Sequence, residues 1–318
     1  MTIAERTPPS GPTLLSTDAQ PFTLGTAQLG MPYGLTRPSA AGSAAGVAAI
    51  LGAARDGGIV WLDTARAYGQ SEERIGRWMA AEGASFRIVS KLPSLEAIAE
   101  SEAAAAVTAA LDQTLTSLGV ASIDVYLAHR SADLLRAPVA AALREAREQG
   151  RISLFGASVY EPDEMAQVMR VEGLGAVQIP FSVFNRAFHD AGLIAAAAER
   201  GILVFARSVF LQGALLMAPR DLPPFLLGLA KPIERLRLLA AEAKITLPQL
   251  LIASVKQVPG IFSPVLGVDS ASQLCELAQA IDGEVSHELL ETATRVGRDV
   301  SRALSDPRRW PKTPPASR

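Results

Sequence analysis

From Phe22 onward, short β-branched and apolar runs alternate with longer alanine-rich windows of helical period, and most of those windows stop at a glycine. Such alternation is the signature of βα units around a parallel sheet. The predicted strands are Phe22–Ala27, Ile59–Asp63, Phe86–Lys91, Ile123–His129, Ile152–Ala157, Ala176–Pro180, Ile202–Ala206 and Phe262–Gly267. Between them, Val107, Leu111, Leu115 and Leu118 make an apolar stripe ahead of Gly119, and Val139, Leu143 and Ala146 repeat it ahead of Gly150. An extra helix, roughly Ser286 to Leu304, comes after the last unit. Eight units without a break in composition favour a closed (β/α)8 TIM barrel over a doubly wound sheet. The stretch Gly25-Thr26-Ala27-Gln28-Leu29-Gly30 only half matches the glycine fingerprint of a Rossmann turn.

Barrel enzymes keep their chemistry at the carboxyl ends of the strands. Asp63 and Tyr68 fall at and just beyond the second predicted strand, Lys91 ends the third, and His129 ends the fourth. A phenol is a weak acid at neutral pH, but a nearby ammonium favours its phenolate, so Lys91 is expected to tune Tyr68 downward. Asp63 would keep Lys91 protonated and aimed, while His129 would hydrogen-bond a substrate oxygen or relay a proton. Singly, each residue also has an ordinary reading: a helix cap, a solvated cation, a packed ring, a surface turn. Together they are suited to protonating a carbonyl oxygen while its carbon is attacked.

Composition narrows the field. The 318 residues are 49% hydrophobic and 19% charged, enough for one large core, and the net charge of −2 offers no basic stripe to nucleic acid. The single cysteine, Cys275, excludes an internal disulfide, and His129, His189 and His287 lack metal-ligand spacing, so no metal is expected. No apolar run reaches the roughly 18 residues of a membrane span, and the chain reads as cytoplasmic. Residues 1–20 read as a flexible lead-in, 21–304 as a single barrel domain, and 305–318, with four prolines and three arginines from Asp306 on, as a flexible tail.

Asp63-Thr64-Ala65-x-x-Tyr68-Gly69-x-Ser71-Glu72-x-x-Ile75-Gly76 resembles the signature of the aldo-keto reductases. The resemblance extends to Gly25-Thr26, Lys91, His129, Gly150-Arg151-Ile152, Gly156-Ala157-Ser158, Gln178 with Asn185-Arg186, and Gly201-Ile202 leading to Gly213. It implies a carbonyl reductase or alcohol dehydrogenase using NADPH or NADH on a small aldehyde, ketone or sugar. Tyr68 would be the general acid, Lys91 and Asp63 its tuning pair, and His129 the orienting group. By the same resemblance Ser158 and Gln178 would hold the nicotinamide carboxamide, Ser208 would meet the pyrophosphate, and Gly25 and Thr26 would also touch the cofactor.

Where many relatives stack an aromatic ring on the nicotinamide, this chain has Arg207, whose planar guanidinium can also stack. At the adenosine end, Gly267, Asp269, Ser270, Gln273 and Glu276 are the expected contacts, and no Lys or Arg occurs from Gln257 through Thr294. NADPH preference should therefore be weakened. The substrate pocket is expected to draw on Met31, Pro32, Tyr33, Trp61, Arg66, Arg130, Tyr160, Phe181 and Phe210, with the two arginines suiting an anionic or polyhydroxylated substrate. Two other readings stay open: an aldolase forming a Schiff base on Lys91, and a non-catalytic nicotinamide-binding subunit.

Overall fold

The computed structural model describes residues 21–35, 40–281 and 283–311. The expected lead-in, 1–20, lies outside them, as does the end of the expected tail, 312–318. Eight parallel strands close into a barrel in sequence order. They are β1 Thr23–Gly25, β2 Trp61–Asp63, β3 Arg87–Leu92, β4 Ile123–Ala128, β5 Ile152–Ser158, β6 Ala176–Pro180, β7 Leu203–Arg207 and β8 Ser263–Gly267. Each expected strand is present, with no end moved by more than two residues. β1 and β2 are only three residues long, because the next residues turn at once into the loops that build the site.

Side chains on a strand alternate between faces, so every second residue points into the barrel. Trp61, Val89, Val125, Leu127, Ala176, Leu203, Phe205, Phe262 and Val265 form one interior cluster, separate from the larger core between sheet and helices. Trp61, Phe205 and Phe262 meet edge to face, with ring centroids 5.1 to 5.8 Å apart. Such contacts add about 0.5–1.5 kcal/mol per pair beyond burial. At the seam where β1 meets β8, the hydroxyls of Thr23 and Ser263, 240 positions apart, lie 2.8 Å from each other.

The outer helices match the expected stripes: in Ala103–Leu118, Val107, Leu111 and Leu118 are buried, and Gly119 caps the end in the left-handed conformation. The extra helix is shorter than expected. It runs His287–Arg298, with the Ser286 hydroxyl accepting from the Leu289 amide, then breaks before a single turn at Arg302–Ser305. From that turn to residue 311 the chain is docked, contrary to the free tail expected from 305 onward. Ser305 and Asp306 are buried, and the Trp310 ring, 8% exposed, lies 5.9 Å from that of Phe225 while its Nε1 donates to the Leu304 carbonyl.

Candidate active site

The period of two that fills the barrel also delivers the site. Two residues beyond an inward-facing core side chain, the next inward position lies at the mouth. Asp63 thus comes after Trp61, Lys91 after Val89, His129 after Leu127, Gln178 after Ala176 and Arg207 after Phe205. The first three were expected at strand ends; their common inward phase is what brings all five together.

Lys91 is 1% exposed and its Nζ is fully engaged. It donates to Asp63 Oδ1 at 2.7 Å, to Oδ2 at 2.9 Å and to the Thr64 carbonyl at 2.9 Å. Gln178 Nε2 donates to Asp63 Oδ1 as well, at 2.7 Å. Burial pushes the Lys91 ammonium below the usual lysine range, and the Asp63 carboxylate opposes that shift. Tyr68 arrives from the turn after β2, with Lys91 Nζ 4.8 Å from its ring centroid and the His129 ring edge-on at 6.1 Å. That turn sits directly on Gly30, where a Cβ would fall 1.8 Å from the Tyr68 carbonyl oxygen, so no larger residue fits.

The remaining motif residues hold the turn in place. Thr64 Oγ1 donates to Ser71 Oγ, Ser71 Oγ donates to the Thr26 carbonyl, and Thr26 Oγ1 donates to the Asp63 carbonyl. Glu72 accepts from Ser90 Oγ at 2.7 Å. Of this stretch, Asp63 and Tyr68 face the cavity, while Thr64, Ser71 and Glu72 hold the turn that aims them.

Burial, and next the Asp63 carboxylate, raise the Tyr68 phenol above its ordinary value; the Arg207 cation opposes them. The expectation that Lys91 would lower Tyr68 is therefore corrected: the ammonium is matched by Asp63, and desolvation of the phenolate prevails. His129 is pushed down to about 4, by burial first and then by the charges of Lys91 and Arg207. At neutral pH the site holds a neutral phenol beside a neutral imidazole.

A cavity of about 240 Å3 opens on this cluster. Its walls include Asp63 and Tyr68, Gly25 and Thr26 of β1, Arg207 and Ser208 at the end of β7, and Gly267, Asp269 and Gln273 after β8. Lys91 and Gln178 lie off the wall, bonded to Asp63 from behind it. Ser158 is buried behind the wall, and the Ser270 hydroxyl lies 2.9 Å from Ser272 Oγ while accepting from the Gln273 amide. Glu276 is exposed and off the wall, and Leu277 turns into the core. Gln28, Gln212, Leu216 and Met217 line the cavity too and were missed. Only Gln28 carried a signal, its position three residues past the end of β1.

The loop after β7 is bent into a cradle: Ser208, Leu211 and Gln212 all have left-handed backbone, with φ of 67°, 47° and 54°. Non-glycine residues held there cost about 1–3 kcal/mol each and gather at ligand clamps. The Leu35 amide donates to the Gln212 carbonyl at 3.1 Å, tying the β1 loop across the same cavity. Arg207, Ser208 and this cradle form one stretch of wall that fits the phosphates of a dinucleotide, with the carboxylates Asp63 and Asp269 and the apolar Val209, Leu216 and Met217 elsewhere on the same wall.

Arg207 does not stand alone. Its guanidinium lies 4.2 Å from the centroid of Tyr160, Nη1 reaches Ser208 Oγ at 3.4 Å, and Nη2 reaches the Val159 carbonyl at 3.5 Å. Arg308, from the docked tail, lies 4.2 Å from the same Tyr160 centroid. It is held by both carboxylate oxygens of Asp306 and by Glu161, which also pairs with Arg302.

Other expected pocket residues lie elsewhere. Trp61 is in the barrel interior, and Phe181 is fully buried beneath Arg186. Arg66 turns away to Ser117 and Glu72, and Arg130 to Glu96 and Ser94. Tyr33 and Phe210 do line the cavity.

Fold and site together define the class. A profile of the Aldo/keto reductase family matches residues 21–296, and the chain belongs to that family. It is 28% identical over 191 residues to the Aldo-keto reductase yakc [NADP(+)] of Schizosaccharomyces pombe, a match covering 55% of this chain and 56% of that protein. It is 25% identical over 191 residues to the NADH-specific methylglyoxal reductase of Escherichia coli, covering 54% and 58%. The chain thus spans little more than half the length of these two relatives. To the L-glyceraldehyde 3-phosphate reductase of Escherichia coli it is 26% identical over 273 residues, covering 74% and 78%. A solved structure described as an aldo-keto reductase from Pseudomonas aeruginosa shares the fold, with a TM-score of 0.63 at 22% identity, covering 84% of this chain and 92% of that one. Among the described residues no single helix is long and apolar enough to cross a membrane.

Proposed function

We propose that this protein is a nicotinamide-dependent oxidoreductase that interconverts a small carbonyl compound and its alcohol, with Tyr68 as the general acid. The observation that carries the reading is a protonated phenol on the cavity wall, backed by a buried lysine that both carboxylate oxygens of Asp63 hold in place. A bound NADH or NADPH supplies the hydride. Arg207, Ser208 and the cradle to Gln212 would hold its pyrophosphate region, Gly25 and Thr26 its nicotinamide end, and Gly267, Asp269, Ser270 and Gln273 its adenosine end.

As negative charge develops on the carbonyl oxygen, the Tyr68 hydroxyl donates its proton there. Lys91, kept cationic by Asp63, stabilises the phenolate left behind. His129, neutral with its value near 4, orients the carbonyl by a hydrogen bond without competing for the proton. Full engagement of Lys91 Nζ argues against a Schiff base, which needs a free, accessible amine. Small aldehydes are the substrates to try first, since two relatives are named for methylglyoxal and glyceraldehyde 3-phosphate.

The test is a fluorescence titration with NADH and NADPH, then a panel of small aldehydes, ketones and sugars, on wild type and Tyr68→Phe. Turnover in the wild type should fall by a factor of about 10²–10⁴ in the variant, as for loss of a general acid, with cofactor affinity unchanged. Equal turnover by both proteins would overturn the role of Tyr68.

A further inference from the structure

Away from the barrel mouth, helix His287–Arg298 lies against the loop after β6. Gly297 permits the approach: a Cβ there would fall 1.9 Å from the Val183 carbonyl oxygen. The contact brings Arg298, and Arg295 one turn earlier, to a cavity of about 450 Å3 that Arg186 also lines. The Asn185-Arg186 pair belongs to the signature seen in the sequence, yet the catalytic cluster makes no use of this arginine. Arg186 is half-buried, its guanidinium 5.2 Å from the Phe181 ring centroid and its Nη1 3.4 Å from the Ser254 carbonyl.

Among the described residues, none of these three arginines has a carboxylate within 4.0 Å. Two acids do line the cavity, but each faces a histidine: Asp190 lies 3.2 Å from His189, and Glu291 lies 3.3 Å from His287. Burial lowers the Arg186 pKa; the charge of Arg298 adds to that shift and Asp190 opposes it. Three arginines against two carboxylates leave this concavity net positive in a chain whose net charge is −2, so the excess is local. An anion relieves that repulsion, and the planar guanidinium suits phosphate oxygens. The same cavity also has an apolar side, with Val258, Pro259 and Leu290 on its wall. Its volume is that of a small-molecule site, larger than inorganic phosphate needs.

We propose that this cavity is a second ligand site, distinct from the one at the barrel mouth, that binds an organic phosphate: the phosphate on Arg186, Arg295 and Arg298, the apolar body on Val258 and Pro259. No residue is shared between the two cavities.

Isothermal titration with phenyl phosphate and with inorganic phosphate at low ionic strength, in the absence and presence of saturating NADH, tests it. One phenyl phosphate should bind per chain with or without NADH. Its affinity should drop at least tenfold in Arg298→Glu and in Arg295→Glu, both exposed positions, and inorganic phosphate should bind at least tenfold more weakly than phenyl phosphate. Arg186→Met should abolish binding; if that half-buried substitution prevents folding, the two surface variants decide the matter. Absence of saturable binding, displacement by NADH, undiminished affinity in both surface variants, or equal affinity for inorganic phosphate would overturn the proposal.

Discussion

At the floor of the site, Lys91, Asp63 and Gln178 are buried and joined by hydrogen bonds of 2.7 to 2.9 Å. At its mouth, Arg207 and Arg308 share the Tyr160 ring at 4.2 Å, and the anchors are exposed ion pairs reaching in from residues 302 to 308. The floor is built from strand positions whose phase leaves no choice of direction. The mouth is assembled by loops and a tail that meet only in the finished fold. Energetics differ accordingly: a buried ion is costly to leave unpaired, whereas an exposed pair contributes about 0–1 kcal/mol.

The largest expected effect is at the floor. Lys91→Met leaves the Asp63 carboxylate buried without its cation and should cost about 3–5 kcal/mol of stability, read from urea unfolding. The double variant Lys91→Met/Asp63→Asn should recover much of that loss while remaining inactive. A Lys91→Met protein as stable as wild type would show that the pair is unimportant to the fold.

Next in size comes the far end of the cavity, where Asp269 lines the wall with no Lys or Arg between Gln257 and Thr294. Wild type should use NADH at least as well as NADPH by kcat/KM. Asp269→Ser should shift the ratio towards NADPH by about tenfold, the equivalent of ~1.4 kcal/mol. A wild-type preference for NADPH of about a thousandfold, ~4 kcal/mol, would refute that expectation.

His129 offers a pH measurement on the floor. Its folded value, about 4, lies below the ordinary one near 6.5, so the unfolded chain binds more protons between the two. This residue's contribution is therefore fully present above pH ~6.5 and is lost as the pH falls towards 4. His129→Gln should flatten that part of the stability curve, and an unchanged curve would contradict the depressed value.

The smallest effect belongs to the mouth. Arg308→Met should weaken cofactor binding about two- to fivefold, in keeping with an exposed pair, and should do nothing further in an Arg207→Met background. A full effect surviving in that background would mean that Arg308 does not act through Arg207.

The same contrast explains what the sequence made legible. Asp63, Lys91 and His129 end strands of recognisable period, so their convergence arises from local pattern alone. Arg66 and Arg130 were placed near the pocket because they neighbour Tyr68 and His129 along the chain, but Glu72 and Glu96 hold them elsewhere. The tail had no readable period: its docking depends on Glu161, 147 positions before Arg308. Gln212 lines the cavity through a left-handed backbone that nothing in its residue type announces.

The seam between Thr23 and Ser263 has an energetic meaning. Joining residues 240 positions apart carries a larger loop-closure cost than pairing neighbouring strands does. Gly25 and Gly267, one on each side of that seam, both line the cavity. A ligand touching both edges would bridge the first and last strands and so favour the closed barrel over an opened one.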